Sequence, residues 1–243
     1  MQLFMTRVEV FPDHRGKESH PFIAWILALA LIALCCWASQ WQYSRGVNRH
    51  HRNTIIASHV QLPTTSLERI SSNPAEAEWR LVQTTGTFDS TDQILLRNRY
   101  SDGKYGYELL TLFRTSGGKT IWVDRGWIAP GTRATSQPKL PSTTSRIITI
   151  TGRFRLDDSL PRGSFFAVSQ SGGNLIEKWN AQKNTQTESF YVDLLSASEV
   201  SMTPAAPVNL PELSDGPHMA YALQWLFFGG LVFYGRIIVR RGR

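Results

Sequence analysis

Between residues 60 and 217 this sequence has no histidine and no cysteine. The six histidines are His14, His20, His50, His51, His59 and His218. That gap removes Ser-His-Asp and Cys-His nucleophile systems from the middle of the chain. It also removes ordinary zinc sites, which need nitrogen or sulfur ligands. The two cysteines, Cys35 and Cys36, are adjacent and lie in an apolar run, so no disulfide braces the middle segment. They lack CxxC spacing and read as packing residues. Four methionines, none clustered, give little support to a copper carrier. Neither a GxxxxGK(S/T) phosphate loop nor a GxGxxG turn occurs. The middle segment has to stand on its hydrophobic core.

Charge is absent where apolar runs are long. Residues 21–44, PFIAWILALALIALCCWASQWQYS, carry none. Residues 219–239, MAYALQWLFFGGLVFYGRIIV, carry only Arg236, near the end, where it can snorkel to headgroups. About 20 apolar residues in a helix cross a hydrocarbon core of roughly 30 Å. The first run is longer than the apolar stretch of a cleaved signal peptide and is read as an uncleaved anchor. A net charge of +7 would suit a nucleic-acid binder, but the excess is misplaced for one. Residues 46–218 hold 18 basic and 16 acidic side chains, whereas Arg45, Arg236, Arg240, Arg241 and Arg243 flank the apolar runs. That is a membrane pattern, and nucleic acid is not expected as a partner.

The basic end sets an expected topology. No Lys or Arg lies between Lys183 and the second run, while four Arg fall in its last turns and beyond. The positive-inside rule puts both tails in the cytoplasm and the middle segment outside it. The expected organisation is a tail at 1–20, a first span at 21–44, an exported domain at 45–218, a second span at 219–239 and a basic tail at 240–243. Glu9, Asp13 and Glu18 make the first 20 residues too acidic for a transit peptide. A bacterial plasma membrane is therefore expected over a mitochondrial inner membrane.

The exported segment reads as mainly β. Residues 45–59 continue the first helix, and Thr65 with Glu68 suggests a capping box for a short helix through Ile70. AEAEW at 75–79 suggests one further helical turn. Strands are expected at 80–88, 92–100, 104–115, 119–129, 146–156, 163–170 and 190–196, rich in β-branched and apolar residues. Asp89-Ser90-Thr91 fits a turn, as do Ser101-Asp102-Gly103 and Ser116-Gly117-Gly118. Residues 130–145 read as a long loop and LIEKWNAQK at 175–183 as a short helix. The expected fold is a small antiparallel barrel or sandwich with short helices. Asp157-Asp158 is most simply a turn. In VDRGWI, Trp127 is expected to fill the core and Gly126 to mark a bulge or close backbone approach.

Two aromatic stripes stand at the ends of the apolar runs. His218, Tyr221, Ala222 and Trp225 fall on one helical face, and Trp37, Trp41 and Arg45 form another stripe. A neutral imidazole can ligate haem iron, aromatics can wall a macrocycle, and an arginine fork can pair with propionates. An interfacial aromatic belt with a capping histidine explains the same residues. His50, His51 and His59 read as a solvated juxtamembrane segment rather than a metal cluster.

WQYSR at 41–45 resembles the W-Q-x-x-R that ends the first span in SURF1 family proteins. GTF (86–88), LLRNR (95–99), GYELLTL (106–112), VDRGWI (123–128), TGRF (151–154) and HMAYALQW (218–225) follow in the family's order. The similarity runs from about residue 22 to 239. It implies a non-enzymatic assembly factor for cytochrome c oxidase, aiding haem a insertion into the catalytic subunit or steadying that subunit. It implies the oxidase catalytic subunit as partner, with haem a synthase and the lipid bilayer beside it. Some bacterial members bind haem a through a histidine of the second span, and His218 stands at that position. The implied transient site is His218 for the haem iron, with Tyr221, Trp225, Trp41 and Arg45 around the ring. The alternative is an exported ligand- or partner-binding module, tethered by two spans and without haem.

Overall fold

The computed structural model describes residues 20–70, 73–132, 138–156 and 175–241. Two compact units result: the described residues up to Arg52 with those from Ser214 onward, and Asn53–Leu213.

The first unit is a pair of helices. Helix α1 (Pro21–His59) runs without a break through the first apolar run and on to His59, as its continuation past residue 45 predicts. The second helix of the unit (His218–Arg241) ends on Arg240 and Arg241, cations that suit the negative pole of a helix C-terminus. Both are long and apolar enough to cross a membrane. Their large side chains face outward: Phe22, Trp37, Leu223 and Phe227 are exposed. Up to Arg52 of α1 and along the second helix the residues they bury are small, namely Ala28, Cys35, Ala38, Ser39, Gly46, Ala222 and Gly229. A Cβ added at Gly229 would sit 3.4 Å from Cys35 Cβ, and the Ser39 hydroxyl donates to the Ala222 carbonyl at 2.8 Å. Close backbone approach through small residues is how helices associate where the solvent is as apolar as they are.

The second unit is a sheet that closes on itself. Strand β1 (Thr65–Ser66) is short and leads into α2 (Leu67–Ile70). A 3₁₀ turn at Pro74–Glu76 follows, and then β2 (Leu81–Ser101), β3 (Lys104–Thr115), β4 (Thr120–Ile128) and β5 (Ile148–Leu156). Helix α3 (Leu175–Lys183) and β6 (Phe190–Ala197) complete it, with a 3₁₀ turn at Val200–Met202; His218–Arg241 is α4. The order β2-β3-β4-β6-β5 returns to β2, because Leu81–Gly86 pairs with β5 and Gly86–Ser101 with β3. Closure removes the exposed edge that an open sheet presents to other chains. Gly86 takes both partners at the corner, and any side chain there would strike the Arg114 carbonyl and the Phe113 ring.

Two pairings make the sheet mixed rather than wholly antiparallel: β4 runs parallel to β6, and β1 parallel to β2. The parallel pairing of β4 and β6 is possible because β5 and α3 lie between them in sequence, giving the long connection it needs. Asp89-Ser90-Thr91 is not the expected turn. It is a bulge within one continuous β2, where the Asp89 carboxylate accepts the Thr91 amide and hydroxyl. The Thr65 capping box is replaced as well: Ser66 and Thr84 hydroxyls donate to Glu68. The Asp102-Gly103 turn has both residues at positive φ, 48° and 74°, as a tight hairpin requires. The expected strand at 163–170, the Asp157-Asp158 turn and the tail at 1–19 lie outside the described residues.

Apolar clusters cover both faces of the strand wall. One holds Val82, Phe88, Phe113, Ile121, Val123, Phe154, Phe190 and Val192. The other holds Leu110, Leu112, Trp122 and Tyr191 against Ile176 and Trp179 of α3. Strands buried on both faces read as near-continuous apolar runs, and Leu109 to Phe113, all buried and interrupted only by Thr111, is one. Trp122, fully buried, is the core tryptophan of β4. Trp127 is only half-buried, which corrects the expectation that it fills the core. Its indole lies where a side chain on Gly106 would be.

Candidate functional site

Three settings hold the residues of interest. The first is the start of α4 against α1. His218 follows Gly216 and Pro217 and opens the helix. Its Nδ1 lies 3.0 Å from Gln42 Oε1, so the ring N–H at that position is donated to the amide oxygen. His218 and Gln42 are both half-buried. Gly46, one turn on from Gln42, is buried; a Cβ there would meet Met219 Sδ at 3.2 Å and His218 Cβ at 3.4 Å. Gln42 and Gly46 therefore belong to the stripe of α1 that faces His218.

The other residues named from the sequence are placed differently. Trp41 is exposed, and the Arg45 guanidinium stacks over its ring at 5.1 Å, a cation–π pair within α1. Both lie off the stripe that meets α4. Tyr221 is exposed. Trp225 is half-buried and meets Phe228 edge-on at 5.9 Å. The structure thus joins His218 to Gln42, a partner that sequence reasoning missed. The signal was available: Gln42 is the second residue of WQYSR, and a polar amide in a 24-residue uncharged run needs a partner.

The second setting is the histidines beyond the first span. His50 Nδ1 is 2.7 Å from Asp215 Oδ2, and His59 Nδ1 is 2.7 Å from the Glu78 carbonyl. Among the described residues no group of three or more His, Cys, Asp or Glu is arranged to hold a metal.

The third setting lies in the sheet; the motifs LLRNR, GYELLTL, VDRGWI and TGRF supply Arg99, Glu108, Asp124 and Arg153 to it, but the sequence alone does not bring them together. Asp124 and Asp193 are register partners on β4 and β6, and both are buried. Arg155 Nη1 donates to Asp193 Oδ2 at 2.6 Å and its guanidinium lies 3.7 Å over Trp79, while Arg153 Nε stands 3.9 Å from the same carboxylate. Arg99 pairs with Glu108 at 2.8 Å. Burial pushes the Asp124 carboxyl well above the ordinary range, and the neighbouring Glu108 and Asp193 charges add to it. Burial also raises Glu108, with Arg99 opposing. These ion pairs tie β2 to β3 and β5 to β6. Burying charge this way is tolerated only with partners in place.

The VDRGWI segment acts as a clamp on two loops. Arg125 donates to the carbonyls of Pro141 (3.2 Å) and Ser142 (2.8 Å), pinning the loop before β5. Gly126 has φ +85°, and its amide bonds Asp124 Oδ1 at 2.8 Å. A side chain at Gly126 would strike the Ala206 carbonyl, to which the Trp127 amide donates at 2.8 Å. Arg153 donates to the Val208 carbonyl. Residues 206 and 208 belong to the stretch that follows β6, so the expected close approach at Gly126 is a strand-to-strap contact.

With this geometry in view, the comparison with known proteins is decisive. The sequence matches the SURF1 family over residues 29–230. The chain belongs to the SURF1 family. It is similar to the SURF1-like proteins of Mycobacterium bovis and Mycobacterium tuberculosis, both described as uncharacterized, at 28% identity over 88% of this chain and 86% of theirs. Family membership supports a role in cytochrome c oxidase assembly at family level. The matched span contains Trp41, Gln42, Arg45, His218, Tyr221 and Trp225.

Proposed function

We propose that this SURF1-family protein is a non-enzymatic assembly factor that holds haem a transiently and delivers it to the catalytic subunit of cytochrome c oxidase. The observation that carries the reading is the Gln42–His218 contact. In the neutral ring, donation of Nδ1–H to Gln42 Oε1 leaves the Nε2 lone pair for a metal. The donor set fits haem: one imidazole nitrogen, half-buried, with the half-buried Trp225 on the same helical face. His218 would hold the iron and Trp225 would pack against the ring. When bound, haem a supplies the redox centre that the oxidase needs; this chain supplies only a ligand and a place to pack the ring. The oxidase catalytic subunit is the partner, with haem a synthase the source of the cofactor.

The membrane is a bacterial plasma membrane, and the β unit lies outside the cytoplasm. Support comes from Arg236, Arg240, Arg241 and Arg243 at the end of the second helix. Alkaline phosphatase fused after residue 150 is expected to be active and after residue 243 inactive; the reverse would refute the topology. The deciding experiment for function is the absorption spectrum of the protein purified from cells that make haem a. A haem a spectrum lost in His218→Ala, with the variant inserted and abundant, supports the reading. Full haem content and full oxidase assembly in His218→Ala would sink it.

A second reading, partner binding without haem, is favoured by the β2–β3 hairpin. Tyr100 and Tyr105 are exposed there and meet edge-on at 5.9 Å. Tyrosines displayed on a rigid hairpin are suited to a protein interface. Tyr100→Ala that abolishes oxidase maturation while haem content is unchanged would favour it.

A further inference from the structure

The geometry points to Arg49, not Arg45, as the anion-binding residue beside His218. We propose that this end of the helix pair takes a ligand carrying both a group for the imidazole nitrogen and a carboxylate. The assignment rests on the haem reading above and adds to it the residue that recognises the ligand's acidic edge.

Arg45 is engaged elsewhere, over the Trp41 ring of its own helix. Arg49 is one turn farther along α1, on the stripe of Gln42 and Gly46, three residues past Gly46. Its Nε donates to the Ser214 carbonyl at 2.5 Å, which fixes the guanidinium at the start of α4. That bond uses the inner nitrogen and leaves the outer pair of the fork for a ligand, the geometry that suits a carboxylate.

Gly216 defines the space these groups share. Its φ is +66°, a conformation that favours glycine. A Cβ built there would lie 3.7 Å from Arg49 Nη1, 3.7 Å from His218 Cδ2 and 3.8 Å from His218 Nε2. An outer nitrogen of Arg49 and the ligand nitrogen of His218 therefore both lie within 4 Å of the same position. The neighbouring carboxylate, Asp215, is turned to His50 at 2.7 Å. A cation beside a lone-pair donor selects a ligand that is electrophilic at one point and anionic at another. A metal porphyrin with free propionates has that form; its ester does not.

The test uses the full-length protein in detergent micelles with two probes, haemin (ferric protoporphyrin IX) and its dimethyl ester, each titrated by Soret absorption. Wild type is expected to bind haemin about fivefold more tightly than the ester, the scale of one exposed charge-assisted contact. Arg49→Gln should erase that preference, Arg49→Lys should keep most of it, and Arg45→Gln should keep it in full. A preference erased by Arg45→Gln and untouched by Arg49→Gln would overturn the assignment. So would a preference that neither variant changes. Soret spectra and affinities identical in wild type and His218→Ala would remove the haem reading itself, and the Arg49 assignment with it.

Discussion

The two units of this chain bury opposite kinds of side chain. In the helix pair the large apolar groups point outward and the seam is made of Ala28, Cys35, Ser39, Ala222 and Gly229. In the β unit Asp124, Asp193, Arg125, Arg153 and Arg155 are buried, and Trp122, Phe113 and Phe154 fill the core around them. The difference follows from the solvent each sequence is built for. A leucine gains nothing by leaving lipid, so helix contact is set by how closely backbones approach. In an aqueous fold apolar burial is the driving force, and any charge that goes in must arrive with its partner. Adding bulk should therefore harm the first unit, and removing a charge the second.

The largest expected effect is loss of a charge from the second unit. Arg155→Ala leaves Asp193 buried, with only the more distant Arg153 beside it. Breaking a buried pair in this way costs about 3–5 kcal/mol. Denaturant unfolding of the full-length protein in detergent, followed by tryptophan fluorescence, should report that loss. A change below about 1 kcal/mol, the value of an exposed pair, would mean the cluster is solvated. Next come the two tryptophans of β4. Trp122→Ala empties a fully buried site and should cost about 3–5 kcal/mol. Trp127→Ala removes a half-buried ring and should cost about 1–2 kcal/mol. Equal losses would show that the partition of β4 between core and surface is misplaced.

How far the sequence foretold these contrasts depends on the range of the interaction. Strands such as 104–115, and the helix at 175–183, were legible because their patterns are local and their turns carry Gly or Asp-Gly. The bulge at Asp89 reads like a turn locally; only the pairing of β3 on both sides of it, Leu112 with Asp89 and Thr111 with Gln93, makes β2 one strand. His218 stood out as a lone histidine at a span end. Its partner Gln42 is 176 residues away, and no periodicity connects them. The Asp124–Asp193 register is equally remote, since a parallel pairing of β4 with β6 is invisible until the sheet closes. Trp127 was misread because alternation alone does not tell which face of β4 is deeper.

A smaller effect is expected from pH, and its sign separates the two kinds of carboxylate in the β unit. Burial raises the folded-state pKa of Asp124 above its unfolded value. The folded protein then holds a proton that the unfolded chain releases. Stability from that group is fully present below about pH 4 and is lost as pH rises through the raised folded value. Asp89 runs the other way: hydrogen bonds from Thr91, with Arg114 nearby, lower its pKa. Its contribution is present above about pH 4 and is lost as pH falls through the lowered value. Asp124→Asn should flatten the decline of stability above about pH 4, and Asp89→Asn should flatten the decline below it. The same slope in both variants would contradict the burial assigned to Asp124.

The smallest expected effect tests the helix pair. Ser39 makes the one hydroxyl bond across the seam among the described residues, 2.8 Å to the Ala222 carbonyl. In water, burying a carbonyl without its partner would be expensive. In a bilayer the Ala222 carbonyl keeps its bond within the helix, and the separated helices find other partners for the hydroxyl. Measured interhelical bonds average only about 0.6 kcal/mol, a factor of roughly three in the opening equilibrium. Cys35 is buried at the seam and Cys36 is exposed one residue on, so the pair is a built-in gauge of opening. With a membrane-permeant maleimide on the full-length protein, Ser39→Ala should raise the labelling rate of Cys35 relative to Cys36 by about threefold or less. The β-unit melting curve should not move. An increase of a hundredfold would mean that the hydroxyl, rather than backbone contact at Gly229 and Ala222, holds the helices together. The seam would then resemble the β unit, and the contrast between them would fail.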